Sequence, residues 1–262
     1  MAAVGPLGHS AAISEAGSLF VWGCNDYGQL GTRFWMFDSN KPALTPERVS
    51  DLPVEDPVRQ VAAGDKQTCI VTDAGDLLVW GCGESGQLGL GDVLNRDRPT
   101  LVARALFDGE AVLMVACGEE HTAVLTEVGG VYTFGCGEDG QLGHGDEENQ
   151  LAPRRLPAAC FNDERVVMVA AGIDSTVALS EAGHVFTWGS GEFGQLGHND
   201  EENQLAPRQV EAGRFGGEKV VFVAANSHVV AVMARGRLYT WGSAEFGQLG
   251  HGDTADRLVR RW

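Results

Sequence analysis

Several features that would announce a chemistry are missing from this chain of 262 residues. Its six cysteines (Cys24, Cys69, Cys82, Cys117, Cys136 and Cys160) include no Cys-x-x-Cys pair, and no two histidines stand at zinc spacing. No metal and no cofactor are expected, and the thiols read as free groups of a reducing compartment. No apolar run is long enough to span a bilayer. The opening "MAAVGPLGHS" lacks a basic stretch followed by an apolar core, so a soluble, cytoplasmic or nuclear protein is expected. Positive charge is scarce as well. Nineteen Lys and Arg face 36 Asp and Glu, a net charge of −17. Such a surface repels phosphate backbones, which disfavours direct binding to nucleic acid or an anionic membrane and leaves room for a basic protein partner. Helical periodicity is absent too.

Glycine is abundant. The 36 glycines are about twice ordinary usage, without the third-residue period of collagen. Many glycines in a chain that is 44% hydrophobic predict many turns between short strands, an all-β fold.

The nonapeptide "DEENQLAPR" occurs twice, at 146–154 and 200–208. It belongs to a longer repeat. An aromatic residue followed by glycine stands at Trp22, Trp80, Phe134, Trp188 and Trp241, in steps of 58, 54, 54 and 53 residues. Six residues after each aromatic begins an intact Gly-Gln-Leu-Gly, at Gly28, Gly86, Gly140, Gly194 and Gly247. Self-similarity at this period signals a repeat architecture.

Within one unit, 166–188 reads "VVMVAAGIDSTVALSEAGHVFTW". The apolar run Val166–Ala171 predicts a strand covered on both faces. "TVAL" and "HVFTW" flank "SEAG", a hairpin whose Gly183 supplies positive φ; Gly17, Gly75, Gly129 and Gly236 hold the same position. A loop and a strand containing proline follow. Four strands per unit joined by tight turns describe a β-propeller blade. The chain divides into units of about 1–46, 47–99, 100–153, 154–207 and 208–262. The small residues of "VAAG" and "VACG" suit the crowded axis, and the aromatic before glycine packs between blades. The two ends, each inside a unit, are expected either to close a five-blade ring, Leu258 and Val259 pairing with the hairpin of residues 10–22, or to bound an arc of a larger propeller. Closure is the favoured expectation.

Tempting motifs give way to structural readings. "GCGESG" matches Gly-x-Gly-x-x-Gly, yet it recurs twice more and turn residues follow it, where a dinucleotide site needs a helix. Asp92, Asp146, Asp200 and Asp253 share one turn position, where a carboxylate bonds backbone two residues on. His9, His121 and His228 begin the hairpins and are read as braces, with Gln67 and Ser175 in their place elsewhere. One stretch departs from the pattern. After the first Gly-Gln-Leu-Gly, Phe34, Trp35, Met36 and Phe37 form an apolar run, either folded over a blade edge or a contact patch for a partner.

The segment "VACGEEHTAVLTEVGGVYTFGCGEDGQLGHGD" (115–146) resembles the repeat of the regulator of chromosome condensation family, and five such copies cover nearly the whole chain. The resemblance implies a propeller, usually of seven blades. It also implies, for some members, guanine-nucleotide exchange on a Ran-type small GTPase through the turn before the hairpin. The matching positions are Asp65, Glu119, Glu120, His121, Asp174 and His228. Plant ultraviolet-B receptors share the repeat, but their Gly-Trp-Arg-His-Thr turn reads "GDKQT", "GEEHT" and "GIDST" here, so light sensing is set aside. The expectation is a non-catalytic protein-interaction scaffold. The alternatives are an exchange factor and the partner-binding propeller of a larger ubiquitin ligase. Candidate partner-binding residues are Phe34–Phe37, the six turn residues above, and the acidic loop residues Glu147, Glu148, Glu201 and Glu202.

Overall fold

A computed structural model describes residues 2–5, 8–32 and 41–261. The twenty strands it contains form five four-stranded antiparallel sheets, each built from consecutive strands. Blade one holds β1 (Ala2–Val4), β2 (His9–Ile13), β3 (Leu19–Gly23) and β4 (Ala43–Arg48); blade two holds β5 (Val58–Ala63), β6 (Gln67–Thr72), β7 (Leu77–Gly81) and β8 (Arg96–Leu101). Blade three holds β9 (Val112–Cys117), β10 (His121–Thr126), β11 (Val131–Gly135) and β12 (Gln150–Arg155). Blade four holds β13 (Val166–Ala171), β14 (Ser175–Ser180), β15 (Val185–Gly189) and β16 (Gln204–Gln209). Blade five holds β17 (Val220–Ala225), β18 (His228–Met233), β19 (Leu238–Gly242) and β20 (Arg257–Arg261). The repeat read from the sequence is therefore the blade. Gly183, in the tight turn joining β14 to β15, has φ 92°, as its position in the repeat predicts.

The strand buried throughout is not the one the apolar run suggests. Val166–Ala171 is fully buried only at Val166 and Val169, while β14 and β15 are buried at every position. The cause is position. The first strand of each blade is a sheet edge lining the axis, whereas the middle hairpin of blades two to four has strands on both sides and a blade against each face.

Cores form between blades. Cys69, Val71, Leu77 and Val79 of blade two meet Val124, Tyr132 and Phe134 of blade three. Ala123, Leu125 and Val131 of blade three meet Ala178, Phe186 and Trp188 of blade four. Equivalent clusters join blades one and two and blades four and five. Trp80, Phe134, Trp188 and Trp241 are each the knob of such a junction, fitted against the second glycine of the preceding blade's Gly-Gln-Leu-Gly. A β-carbon at Gly143 would lie 2.7 Å from the Trp188 indole nitrogen, and one at Gly197 would lie 2.8 Å from that of Trp241. The indoles of Trp80 and Trp241 also donate to the carbonyls of Gln29 and Gln195, in the preceding Gly-Gln-Leu-Gly.

Five blades thus share four cores. Closure through the chain ends is not what the structure shows. β20 is the outer strand of blade five, pairing Arg257 with Gly242 and Arg261 with Thr240, and not with residues 10–22. β1 completes blade one by pairing with β2. The outward face of blade five is left open. β18 alternates between half-buried and buried, whereas β6, β10 and β14 are buried throughout. Leu238 is 49% exposed, against 1% for its equivalent Leu77. On blade one, Trp22 is half-buried, while Trp80, Phe134, Trp188 and Trp241 are fully buried.

The twin nonapeptides are braces of one loop. Asp146 pairs with Arg154 at 3.2 Å and Asp200 with Arg208 at 3.4 Å. Asn149 and Asn203 accept from the backbone N–H groups of Gly137 and Gly191. Asp92, Asp146 and Asp253 each accept the backbone N–H two residues on, as their turn position predicts.

The junction geometry predicts unequal costs for two substitutions of the same kind. Trp188→Ala empties a closed core and should lower unfolding free energy by about 3–5 kcal/mol. Trp22→Ala, at an open face, should cost about 1–2 kcal/mol. Denaturant unfolding of both variants checks the difference, and equal losses would mean that blade one is covered like the others.

Candidate partner-binding rim

The strand registers decide which loops share an end of the propeller. His121 pairs with Gly135, and Gly135 with Gln150. The turn before the second strand of a blade therefore lies beside the loop that leaves the third strand, and this recurs in every blade. In blades two to five those segments are 64–66, 82–95, 118–120, 136–149, 172–174, 190–203, 226–227 and 243–256. Lys66 is the only Lys or Arg among them, while each of the four long loops carries at least two acidic residues. One rim is thus strongly negative.

Toward the axis the rim tightens into a cavity of about 120 Å³. Asp65, Glu119 and Asn226 are at its mouth, with Ala63, Cys117, Ala171 and Ala225 from the inner strands. Asp65 is only 7% exposed. Burial, then the charge of Glu119 and that of Glu120, raise its pKa against the opposing pull of Lys66. Asp174 is pushed up to about 6, first by burial and then by Asp139, Glu119, Glu120 and Asp65. Glu120 is the exception. Burial would raise it, but the Ser85 hydroxyl donating at 2.7 Å and the Lys66 ammonium at 3.2 Å outweigh that and hold it below the usual carboxylate range. Lys66 also lies 5.3 Å from the centre of the Tyr27 ring. One cation is thus shared among several carboxylates.

The candidate residues fall into distinct groups. Asp65, Glu119, Glu120 and Asp174 come together around the axis. Glu147, Glu148, Glu201 and Glu202 are exposed farther along the same rim. His121 does not present itself to a partner. It is fully buried, and its Nε2 reaches the Thr176 hydroxyl of the next blade at 2.9 Å. That hydroxyl donates to the Gln141 carbonyl, so Nε2 carries the ring proton. Burial holds the ring neutral, with a pKa near 4. His9 does the same with Thr68. These histidines brace blade to blade, as the bracing reading expects. His228, in blade five, is half-buried and meets no threonine of a following blade among the described residues. Phe34, Trp35, Met36 and Phe37 lie outside the described residues. Asp139, Ser85 and Lys66 join the cluster without standing out in the sequence. The register of the hairpin, which sets the residue before Gly-Gln-Leu-Gly beside the neighbouring turn, was the available signal.

The comparisons agree with this architecture. The profile of the RCC1-like domain matches residues 2–261. The chain belongs to the RCC1-like domain family. It is 37% identical over 251 residues to the ultraviolet-B receptor UVR8 of Arabidopsis thaliana, an alignment covering 95% of this chain and 54% of that one. It is 34% identical over 249 residues to the E3 ubiquitin-protein ligase HERC2 of Homo sapiens, covering 94% of this chain and 5% of the ligase. Among solved structures, human WBSCR16 superposes with a TM-score of 0.87 at 27% identity, over 97% of this chain and 64% of that one. The chain spans about half the length of the receptor and a small part of the ligase. Its RCC1-like repeats are the five blades described above, and the fold is that of a regulatory or interaction propeller.

The crowding of carboxylates has a measurable consequence. The folded pKa of Asp174, about 6, lies above the ordinary 3.8, so the folded state binds this proton more tightly than the unfolded chain does. Its contribution is full below about pH 4 and is lost as pH rises toward about 6. At pH 7, Asp174→Asn should therefore be more stable than wild type. Solvent screening keeps the gain small, about 2 °C in melting temperature. At pH 4 the two proteins should melt together. A gain of equal size at both pH values would show that the charge is not responsible.

Proposed function

We propose that the chain is a non-catalytic interaction platform that receives a basic protein surface on its acidic rim. One observation carries this reading: in blades two to five the rim turns and loops hold many carboxylates and a single cation, Lys66, so the negative charge is left largely uncompensated. Folding alone gives no reason to hold a buried Asp65 and a half-buried Asp174 against other carboxylates. A partner's Lys or Arg groups would relieve that repulsion. The braces of each loop, Asp146 with Arg154 and Asn149 with Gly137, leave Glu147 and Glu148 free to meet such a partner. The aromatic residues at Trp80, Phe134, Trp188 and Trp241 are locked in interblade cores, which supports packing over light reception for them. The similarity to HERC2 extends over 5% of that ligase and brings no ligase chemistry to this chain.

Binding through the rim should be fast and salt-sensitive, because opposite charges steer association and are screened over about 8–10 Å at ordinary ionic strength. An oligolysine peptide is a suitable first probe. Its affinity should fall steeply with salt, and about tenfold when Asp65, Glu120 and Asp174 are neutralised together. Changing Glu147, Glu148, Glu201 and Glu202 to Gln should slow association mainly. Binding of a native partner that ignores salt and vanishes with Trp35→Ala would move the site to the apolar stretch Phe34–Phe37. Acceleration of nucleotide release from a Ran-type GTPase, abolished by the same triple neutralisation, would replace the platform reading with exchange.

A further inference from the structure

Two positions of the repeat hold a small aliphatic residue in every blade but one, and cysteine in that one. The third residue of the second strand is Ala11, Ala123, Val177 and Val230 in four blades and Cys69 in blade two. The registers agree, since Cys69 pairs with Ala62 as Ala123 pairs with Ala116. The last residue of the first strand is Val4, Ala63, Ala171 and Ala225 in four blades and Cys117 in blade three. The two departures meet at one junction. Cys69 belongs to the core that blade two shares with blade three, and Cys117 packs against that core. The Cys69 thiol lies within hydrogen-bonding reach of both the Cys117 thiol and the Thr122 hydroxyl, and Cys117 and Thr122 are partners across β9 and β10. No other junction has sulfur at either position.

The two thiols differ in access. Cys69 is fully buried, and its hydrogen bond to Cys117, followed by burial, holds its thiol well above the usual range, in the protonated form. Cys117 is half-buried and lines the axial cavity of about 120 Å³ that opens past Asp65, Glu119 and Asn226. A molecule little larger than water enters such a space. The carboxylates at the mouth repel anions. A small neutral oxidant therefore reaches Cys117, and a bulky anionic one does not.

We propose that Cys69 and Cys117 form a dithiol that a small neutral peroxide converts to a disulfide, stapling blade two to blade three. Cys117, as thiolate, attacks one peroxide oxygen. The O–O bond breaks, a sulfenic acid forms on Cys117, and the second oxygen leaves as hydroxide and becomes water with the proton the thiol gave up. The Cys69 sulfur then attacks the Cys117 sulfur. The S–S bond forms, the S–O bond breaks, and the hydroxyl departs as a second water with the Cys69 proton. Two thiols lose two electrons and two protons, and one peroxide becomes two waters. Sulfurs already in contact have only to close to the about 2 Å of an S–S bond. The bridge stabilises the fold chiefly by restricting the unfolded chain between the two cysteines.

Treating the reduced full chain with one equivalent of hydrogen peroxide, then counting thiols and mapping peptides after denaturation, tests this. Free thiols should fall from six to four, with one cross-link joining Cys69 to Cys117. The melting temperature should rise by about 5 °C and return with dithiothreitol. Alanine stands at both positions in sister blades, so Cys69→Ala and Cys117→Ala should fold. In Cys69→Ala, dimedone should capture a sulfenic acid on Cys117. In Cys117→Ala, Cys69 should stay reduced. Neither variant should gain melting temperature with peroxide. The folded wild type should lose these two thiols at least about tenfold faster to peroxide than to oxidised glutathione at equal concentration, a preference abolished in urea. The proposal fails if no Cys69–Cys117 link forms, if the linked protein melts no higher than the reduced one, or if oxidised glutathione matches peroxide on the folded chain.

Discussion

The structure depends on one contact made four times: a flat aromatic ring pressed between two sheets against backbone that carries no side chains. A single blade has four short strands and no core of its own. Burial arises only when the following blade lays Trp80, Phe134, Trp188 or Trp241 onto the glycines of the one before. Any β-carbon at Gly89, Gly143 or Gly197 would collide with the ring, which ties the high glycine content to packing as much as to turns. Burial of each ring is worth about 1.5–3 kcal/mol by area. The Gln carbonyl that accepts from Trp80 and from Thr68 fixes where the ring sits. The rest of the fold is a consequence of repeating this contact.

Because the junctions carry the stability, the rim loops are held by small local devices instead of a core. An Asp–Arg pair and an Asn or Asp clip shape each long loop, with an Asx bond in three of the four, and none of them uses the glutamates between. The loops can therefore hold like charges together at little cost to folding, except close to the axis. There the geometry brings Asp174, Asp139, Glu119, Glu120 and Asp65 into one neighbourhood, and the pKa of Asp174 is raised first by burial and then by these charges. Lys66 relieves only Glu120 directly. A propeller that served only as a spacer would have no need of so uneven a rim.

Much of this was legible in the sequence. The aromatic-Gly steps gave the number of blades, though the expected unit bounds fall inside the fourth strands; Gly183 and its equivalents gave the hairpin turns, and the shared position of Asp92, Asp146 and Asp253 gave the turn brace. What was not legible has a common physical cause. Whether a face is covered depends on the neighbour, not on the residues of the face. Val166–Ala171 looks like the most buried strand because it is the most apolar, yet an axial edge is less covered than a middle strand of mixed composition such as "STVALS". That the chain ends do not pair was illegible for the same reason, since the hairpins of blades one and five follow the pattern of the inner ones, with Ser10 and Val229 where Thr68, Thr122 and Thr176 stand. Asp139 escaped notice because its partners in the cluster are 19 to 74 residues away in sequence and come close only through the hairpin registers.

In a repeat protein, function is best sought where the repetition fails. His9, His121 and His228 occupy one position, yet two of them are internal braces and the third faces outward. Leu77 and Leu238 are likewise one position, closed in blade two and open in blade five. Residue type cannot separate these cases; the presence of a following blade does. The acidic rim is the second departure, and it differs in kind. It comes from loop residues that the packing leaves unconstrained, so its charge could vary without disturbing a junction. The faces between blades come instead from residues that every junction requires, so they leave little room to vary.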